Sequence, residues 1–420
     1  MIRGRYQQLL QLLIVVLPAF LLFGYNQSNV GGFLSIENWA HTFPEIDTVT
    51  TTGEDKEEKH TLQGVVVATF TLGALAGALS CSWAGDKFGR RKTIFFAAAL
   101  TLIGEALECT SFHIAQLIVG RTILGFGVGN LSAIVPVWQS ETSQASNRGR
   151  AVVLSGLFIS LGYVLQAWIN LGFFQIKTGS LSWRLPIALP SLVSITLMGT
   201  IWLFPESPRW LVAQGRKDEA LTNLMLLRNA TTAAESDAVD LELAAIEYSL
   251  EDSTGEGTKL RQVFTMGEDK LLYRFMLCIS LNFFQQMTGG NLISVYSTVI
   301  FQEGLQFDSQ TARILSGGTL TWKFLSCFVA FFTIDRFGRR LLFIVSGSGM
   351  ALCMMALAIA TSFPKSNEAA QIASVFFVFL FNFFIPIGFL GANFLYATEV
   401  APTRLRVKMS SISTANHWLW

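Results

Sequence analysis

Apolar runs recur along this sequence from residue 9 to its last residues, and each is long enough to cross a lipid bilayer as a helix. About 20 apolar residues let one α-helix cross the hydrocarbon core of a membrane. The runs lie at 9–35, 63–84, 93–112, 114–139, 150–175, 184–205, 273–300, 311–334, 340–361 and 369–395, and an eleventh begins near 411. Because backbone in lipid must satisfy its own hydrogen bonds, they predict an all-α membrane protein with about ten complete transmembrane helices and the eleventh begun.

The composition supports this class and excludes others. Hydrophobic residues make up 51% of the 420 residues and charged residues 14%, as in a protein with many membrane spans. A net charge of +1 gives no basis for a nucleic-acid partner. The five cysteines fall inside apolar runs without framework or ligand spacing, so we predict no disulfide, metal or cofactor. No Ser/His/Asp set or phosphate loop is present, and we do not expect an enzyme.

The distribution of basic residues among the short loops predicts which side of the membrane each loop faces. With the N-terminus inside, fourteen Lys and Arg residues fall on the cytoplasmic side and six on the other side, Arg184 and Arg313 among them. Cytoplasmic loops carry the excess of Lys and Arg in membrane proteins, so we expect a cytoplasmic N-terminus. The first apolar run is long enough to span and has no cleavage-site pattern. We therefore predict a multi-pass protein, located in the plasma membrane.

A short basic motif occurs twice, at equivalent places in the order of helices. GDKFGRRK follows the second apolar run, and IDRFGRRL follows the eighth, 249 residues later. Repeats of this kind indicate a chain built from two related halves. We predict an N-terminal six-helix half at 1–205, a polar cytoplasmic linker with short helices at 206–270, and an incomplete C-terminal half at 271–420.

The repeated motif brings acids and bases together at helix ends, where they form a candidate cytoplasmic gate. The candidates are Asp86, Arg90, Arg91, Glu141 and Arg148 in the first half, and Asp335, Arg339, Arg340, Glu399 and Arg404 in the second. Ion pairs among them would make a latch that breaks when the halves move. The alternative is that basic loops only orient the helices, because exposed pairs contribute ~0–1 kcal/mol each. Two copies at matched positions favour the gate.

Several motifs, in this order and spacing, resemble one known family. GDKFGRRK, GRTILGFGVG, VPVWQSETS, PESPRWL, QQMTGGN, IDRFGRR and YATEVAPTRLR are similar to the sugar porter family of the major facilitator superfamily, as found among fungal hexose transporters. The resemblance covers nearly the whole chain and implies a major facilitator fold of two six-helix halves that works by alternating access. Because the family has twelve helices, we expect roughly 80–100 further residues beyond HWLW, which lies within the eleventh helix.

The resemblance also implies a sugar site in the C-terminal half. The family pattern QQxxGxN corresponds to Gln285, Gln286 and Asn291 here. Gln285 lies about 18 Å into its helix, at 1.5 Å per residue, and therefore near the middle of the membrane. Each amide offers two donors and an acceptor, which suits adjacent sugar hydroxyls. The alternative is that these amides only join helices. Gln166 and Asn170 in the fifth helix are further candidates.

Lys323, in GGTLTWKFLSC, stands where many family members carry a sugar-binding Asn at mid-bilayer. An uncompensated Lys there costs about 2.5–3.5 kcal/mol on insertion scales, so we expect it to face the cavity or a partner. We find no acidic residue at a similar depth in another span. An anionic substrate would supply a partner, which leaves sugar acids and quinate-like acids open as an alternative to neutral sugars.

Asn26 begins a polar run, Asn26-Gln27-Ser28-Asn29, inside the first helix. Proton-coupled members of the family carry Asp at this position, facing an Arg in the fourth helix that corresponds to Arg121. An Asp can bind and release a proton, whereas Asn cannot. The resemblance therefore favours facilitated diffusion, unless Lys323 or another group has taken over the coupling.

Together these features predict transport of a hexose or pentose by alternating access. Two alternatives stay open: a proton-coupled carrier of a sugar or sugar acid, and a sugar sensor that signals through a long cytoplasmic tail. The expected partners are the sugar and the lipid bilayer, and we expect a monomer.

Overall fold

The computed structural model describes residues 4–143, 148–176, 179–230, 232–254, 270–364, 367–390, 400 and 406–420. These residues are almost entirely helical. In chain order the membrane helices are α1 (Tyr6–Gly32), α2 (Glu54–Phe88), α3 (Arg90–Cys109), α4 (Ile114–Thr142), α5 (Arg148–Phe174), α6 (Leu181–Leu203), α7 (Leu271–Met287), α8 (Ser309–Phe337), α9 (Arg339–Thr361), α10 (Glu368–Leu390) and α11 (Arg406–Leu419).

Most of these helices satisfy the requirements for crossing a membrane on their own. Within the described ranges, eight are long and apolar enough by length and composition, and the other three are α3, α7 and α11. Large apolar side chains such as Phe96, Phe332 and Phe376 are exposed on the outside of the bundle. Exposed apolar surface on this scale is expected when lipid rather than water surrounds a protein. The all-α membrane class predicted from the apolar runs is confirmed.

The repeated motif has the same backbone in both copies. Gly89 separates α2 from α3 with a φ of 89°, and Gly338 separates α8 from α9 with a φ of 78°. Only glycine adopts such angles without strain, which explains why each copy has Gly between its Phe and its Arg pair. We call the end of the bundle that carries Gly89 and Gly338 the basic-loop end.

Small residues set the spacing of α2 and α4. A Cβ added to Gly73 would lie 2.2 Å from the carbonyl oxygen of Thr122, and one added to Gly77 would lie 2.1 Å from that of Phe126. The two backbones therefore touch, as in membrane helix pairs with small residues four apart. Helix α1 packs on α5, α5 packs on α8, and α2 packs on α11. The last two pairs join the N-terminal helices to the C-terminal ones.

Helix α7 is broken in its second half. After Met287 the chain turns at Gly289, with a φ of 75°, and continues as the short segments Gly290–Val295, Ser297–Val299 and Ile300–Gly304. A break in a membrane helix leaves backbone groups and polar side chains facing the bundle interior. The QQMTGGN motif lies at this break, with Gln285 and Gly290 buried and Gln286 and Asn291 partly buried.

Between α6 and α7 the described residues form three helices outside the membrane bundle. They are Pro208–Ala213, Lys217–Arg228 and Ala233–Thr254. Trp210 of the first donates its indole N–H to the carbonyl oxygen of Asp86, at 2.9 Å. The linker helices are thereby attached to the basic-loop end.

Candidate functional site

The three amides of the QQMTGGN motif lie around the break in α7. Gln285 is buried. The Asn291 Nδ2 donates to Oε1 of Gln286 at 2.5 Å, because the turn at Gly289 brings residue 291 back over residue 286. Gln286 Nε2 in turn donates to the carbonyl oxygen of His417 in α11, at 2.5 Å. Gln286 and Asn291 therefore form one hydrogen-bonded unit between α7 and α11.

Lys323 is buried in the middle of α8, with 1% of its surface exposed. Its Nζ donates to the Ser294 hydroxyl at 2.8 Å and lies 4.7 Å from the ring centre of Tyr163. Among the described side chains, no carboxylate pairs with it. Ser294 belongs to the segment after the α7 break and Tyr163 belongs to α5, so Lys323 joins three helices at the centre.

The polar run of α1 is buried and faces α5. Ser28 donates to Oε1 of Gln166 at 3.0 Å, and Tyr163 donates to Oε1 of Gln27 at 2.6 Å. Asn170 lies one turn beyond Gln166 and reaches a backbone carbonyl of α1. These bonds explain how the membrane interior accommodates Gln27 and Ser28, whose side chains find polar partners on α5.

A narrow polar cavity lies where α1, α5, α7 and α8 meet. Its polar lining includes Ser28, Gln166, Asn170, Ser294, Ser297 and Ser316. As it stands the cavity is too narrow for a sugar. Gln166 thus lines the cavity and Lys323 adjoins it through Ser294, whereas Gln286 and Asn291 lie outside its lining. The structure brings the sequence candidates to one region but divides them between two hydrogen-bonded groups.

Arg313 closes the bundle at the end opposite the basic loops. Its Nη1 donates to the carbonyl oxygen of Gly32 at 2.7 Å, and its Nη2 donates to the Ser35 hydroxyl at 2.8 Å. The guanidinium also lies 4.1 Å from the ring centre of Phe174. Because Arg313 is on α8 and Gly32 ends α1, this contact, which we call the Arg313 clasp, joins the C-terminal helices to the N-terminal ones.

The candidate gate residues of the first half gather at the basic-loop end. Arg90 forms a two-point pair with Glu141, with nitrogen–oxygen distances of 2.9 and 3.2 Å, and lies 3.5 Å from Asp86. Both Arg90 and Glu141 are buried. The pair joins α3 to α4, two helices of the same half. It is therefore a connection within the N-terminal helices and differs from the latch between halves that the sequence suggested.

Glu206, which the sequence analysis did not single out, is part of this cluster. Its carboxylate accepts the backbone N–H of Arg90 and that of Arg91, each at 3.1 Å, and so caps the start of α3. An acidic side chain at a helix N-terminus is favourable because it meets unpaired N–H groups and the positive end of the helix dipole. The PESPRW motif is the sequence signal that could have identified it.

Only some of the second-half gate candidates belong to the described part of the chain. Arg339 and Arg340 begin α9 as Arg90 and Arg91 begin α3. The side chains of four candidates lie outside the described residues: Arg148, Asp335, Glu399 and Arg404. The latch between halves therefore remains a prediction.

Two buried acids in α3 correct the expectation that no acidic residue lies at the depth of Lys323. Glu105 and Glu108 are 0% and 1% exposed. Glu105 lies about 22 Å from the basic-loop end of α3 and Lys323 about 21 Å from that end of α8, at 1.5 Å per residue. Both acids lie within the apolar run 93–112, where the many apolar neighbours give no sequence signal that a buried acid is present.

Asn26 meets one of these acids. Its Nδ2 donates to Oε1 of Glu105 at 3.0 Å. Arg121 instead donates through Nε to the carbonyl oxygen of Val66 at 3.1 Å, and its Nη1 lies 3.9 Å from Oε1 of Glu108. The described partner of Asn26 is therefore a carboxyl of α3, while the Arg of α4 faces the other carboxyl of that helix.

Comparison with known proteins identifies relatives of the whole chain. A family described as "Sugar (and other) transporter" matches residues 12–420. The Saccharomyces cerevisiae protein named Sugar transporter STL1 is 31% identical over 410 residues, which are 97% of this chain and 71% of that protein. The Schizosaccharomyces pombe High-affinity fructose transporter ght6 is 31% identical over 420 residues, covering 97% of this chain and 76% of ght6.

Solved structures share the fold. The major facilitator superfamily proton:xylose symporter XylE, bound to 6-bromo-6-deoxy-D-glucose, superposes with a TM-score of 0.83 at 22% identity and covers 99% of this chain and 87% of its own. XylE from E. coli in a partially occluded inward-open conformation gives a TM-score of 0.76 at 21% identity, with 98% and 90% covered. These likenesses confirm the predicted fold, and both family and fold are those of transporters rather than enzymes. The chain is a member of the sugar transporter family of the major facilitator superfamily.

Proposed function

We propose that this protein carries a neutral monosaccharide, a hexose or pentose, across the membrane by alternating access. The observation that carries the proposal is the group of uncharged amides and hydroxyls around the α7 break, of which Gln166 and Ser294 are buried and Gln286 and Asn291 are partly buried. Gln166, Ser294, Gln286 and Asn291 offer donors and acceptors in the pattern that vicinal hydroxyls need. The names of the relatives, a sugar transporter and a fructose transporter, support the same substrate class.

In this proposal the structure represents a state in which the cavity is closed toward both sides of the membrane. The Arg313 clasp holds one end, and the packing of α2 on α11 holds the basic-loop end. Opening of either end in turn would widen the narrow cavity and expose it to one side of the membrane. The basic-loop end faces the cytoplasm of a plasma-membrane protein, since it carries the excess of Lys and Arg.

Alternating access also assigns a role to each part of the chain. Residues 1–205 and 271–420 move against each other, and residues 206–270 connect them on the cytoplasmic side. The candidate site lies within one chain, so the protein works as a monomer. Asn26 alone favours facilitated diffusion, because an amide carries no proton. The contact of Asn26 with the Glu105 carboxyl favours proton-coupled uptake instead.

Uptake by a yeast strain that lacks its own hexose carriers tests the proposal. Cells expressing the protein are given labelled D-glucose, D-fructose, D-xylose, D-galacturonate and quinate at equal concentrations. We expect saturable uptake of at least one neutral sugar, blocked by an excess of the same unlabelled sugar. Uptake of none of the neutral sugars, with the protein present in the membrane, would refute the proposal.

A second candidate substrate is a sugar acid, because Lys323 is buried without a carboxylate partner among the described residues. The variant Lys323→Met separates the two substrates. It removes the charge and keeps the length of the side chain. For a neutral sugar the lost hydrogen bond costs ~0.5–1.5 kcal/mol, and affinity falls by at most about tenfold. For an acid, loss of the buried charge partner would abolish measurable uptake.

A further inference from the structure

The carboxyl of Glu105 is enclosed by neutral hydrogen-bond donors. Its Oε1 accepts from Asn26 Nδ2 on α1, and its Oε2 accepts from the Ser194 hydroxyl on α6, each at 3.0 Å. Ser191, also on α6, supplies a further hydrogen bond. No water-accessible surface remains on the side chain. Glu105 is thus held in place from two neighbouring helices without a cation in contact.

The charged and titratable groups that face Glu105 are few. On its own helix the neighbour is Glu108, one turn away, and on α1 it is the phenol of Tyr25. Arg121 of α4 faces Glu108 rather than Glu105. Helix α6 presents the two serine hydroxyls, and α2 presents backbone carbonyls to Arg121. The described surroundings of Glu105 therefore contain a second acid and one base.

These groups do not balance in charge when both acids are ionised. Arg121 is the one cation that the described residues supply for Glu105 and Glu108, and its Nη1 is directed to Oε1 of Glu108 at 3.9 Å. The pair satisfies Glu108 electrostatically and leaves Glu105 as an uncompensated buried charge, which is costly in a membrane interior. One proton on Glu105 makes the cluster neutral.

We propose that Glu105 is the proton-binding residue of this transporter, at a position in α3 rather than in α1, and that proton binding there drives sugar uptake. The proposal rests on the proposed sugar transport. In the closed state the carboxyl is protonated: Oε1 accepts from Asn26, and Oε2 carries the proton and donates it to the Ser194 oxygen, with the Ser194 hydroxyl rotated to suit. Movement of α1 away from α3 removes Asn26 and admits water, and the proton passes from the carboxyl to that water.

The cluster is connected to the candidate sugar site by two routes. Asn26 is followed by Gln27, which accepts from Tyr163, and the Tyr163 ring lies under Lys323. Arg121 interacts electrostatically with Tyr296, which directly follows the α7 segment that carries Asn291 and Ser294. A change of charge at Glu105 therefore acts on the two helices, α1 and α7, that bound the sugar cavity.

The variant Glu105→Gln tests the proposal, because it imitates the protonated carboxyl and cannot release a proton. Labelled D-glucose and D-xylose are measured in cells at acidic external pH, with and without a protonophore, and in exchange across vesicles with sugar on both sides. We expect the parent protein to accumulate sugar above the external concentration and to lose this with the protonophore. Glu105→Gln should keep exchange and lose both accumulation and its dependence on external pH.

Two further variants make the outcome specific. Ser194→Ala removes one hydrogen bond to the carboxyl but keeps the titratable group, so its accumulation should remain dependent on external pH and on the absence of a protonophore, with the pH dependence shifted. The double variant Asn26→Asp with Glu105→Gln exchanges the carboxyl and the amide across the same contact and should restore accumulation. If Glu105→Gln fails to reach the membrane, Glu105→Ala takes its place: exchange without accumulation supports the proposal, and accumulation equal to that of the parent overturns it.

The measurements distinguish an error about Glu105 from an error about sugar transport. If the parent exchanges sugar without accumulating it, or if Glu105→Gln accumulates as well as the parent, Glu105 is not the coupling residue and sugar transport stands. If the parent exchanges neither sugar, the transport proposal itself fails.

Discussion

Arg313 allows a quantitative test of how one end of the bundle closes. The change is Arg313→Met, which keeps an unbranched apolar stem against Phe174 and removes the guanidinium. Two hydrogen bonds from a charged donor are lost, at 2.7 Å to Gly32 and 2.8 Å to Ser35. Both cross from α8 to the end of α1, so they exist only while that end is closed.

The expected change in the free-energy difference between closed and open molecules follows from these two bonds. A hydrogen bond that involves a charged group contributes about 1.5–3 kcal/mol net. Two at the lower value make about 3 kcal/mol, which is roughly a hundredfold change in the ratio of closed to open molecules. Because Arg313 is buried, solvent screening reduces this value little. The variant should therefore open at this end far more often.

Reaction of a cysteine in the narrow cavity measures the opening. Ser316→Cys places a thiol in the cavity lining, in a background where Cys109, a native cysteine that is only half-buried, is Ser. A membrane-impermeant thiol reagent is added from the side that the Arg313 clasp closes. We expect labelling to accelerate by up to about a hundredfold in Arg313→Met, in proportion to the open fraction.

Arg184 supplies the matched control at the same end. It donates to the carbonyl oxygen of Ser111 at 2.8 Å and stacks on Trp183, so it joins α6 to the end of α3 within the N-terminal helices. Arg184→Met removes a similar set of bonds without crossing between halves and should leave labelling unchanged. Equal labelling of Arg313→Met and its parent, or equal acceleration in Arg184→Met, would show that the reasoning about the clasp is wrong.

Two further predictions concern the site and the repeated loop. Gln286→Ala and Asn291→Ala should each weaken sugar affinity by ~0.5–1.5 kcal/mol. The double variant should lose little more affinity than either single variant, because the two amides bond each other. Fully additive losses of affinity in uptake measurements would contradict this. Gly89→Ala should lower the thermal stability of the purified protein more than Gly338→Ala, because its Cβ would lie 2.7 Å from the Glu206 carboxylate, whereas no described residue lies within 4 Å at Gly338. Equal losses of stability would contradict the capping of α3 by Glu206.

The features that sequence reasoning recovered are those with a strong local or repeated signal. Apolar length predicts membrane helices because each must satisfy the same bilayer thickness. The two copies of the basic motif predicted equivalent turns, and Gly89 and Gly338 share a left-handed backbone. Lys323 was expected to face the cavity or a partner; its Nζ donates to the Ser294 hydroxyl, and its role in substrate binding stays a prediction.

The features that were missed depend on which side chains meet across helices. Glu105 and Glu108 lie within an apolar run, and only the packing of α3 against α4 and α6, with Asn26 of α1 bonded to Glu105, shows that both are buried. Arg313 was counted as a loop residue, yet it lies inside α8 and bonds α1. A one-dimensional pattern gives depth along a helix but not the neighbour opposite each side chain, and the neighbour decides whether a charge is satisfied.

Counterflow with purified protein in lipid vesicles tests the central claim, carriage of a neutral sugar, most directly. Vesicles are loaded with an unlabelled neutral sugar and diluted into a trace of the same labelled sugar. Our account predicts a transient rise of labelled sugar above its equilibrium level, suppressed by external neutral sugars and unaffected by galacturonate or quinate. Folded protein that shows no such rise with any neutral sugar, or a rise with the acids alone, would contradict it.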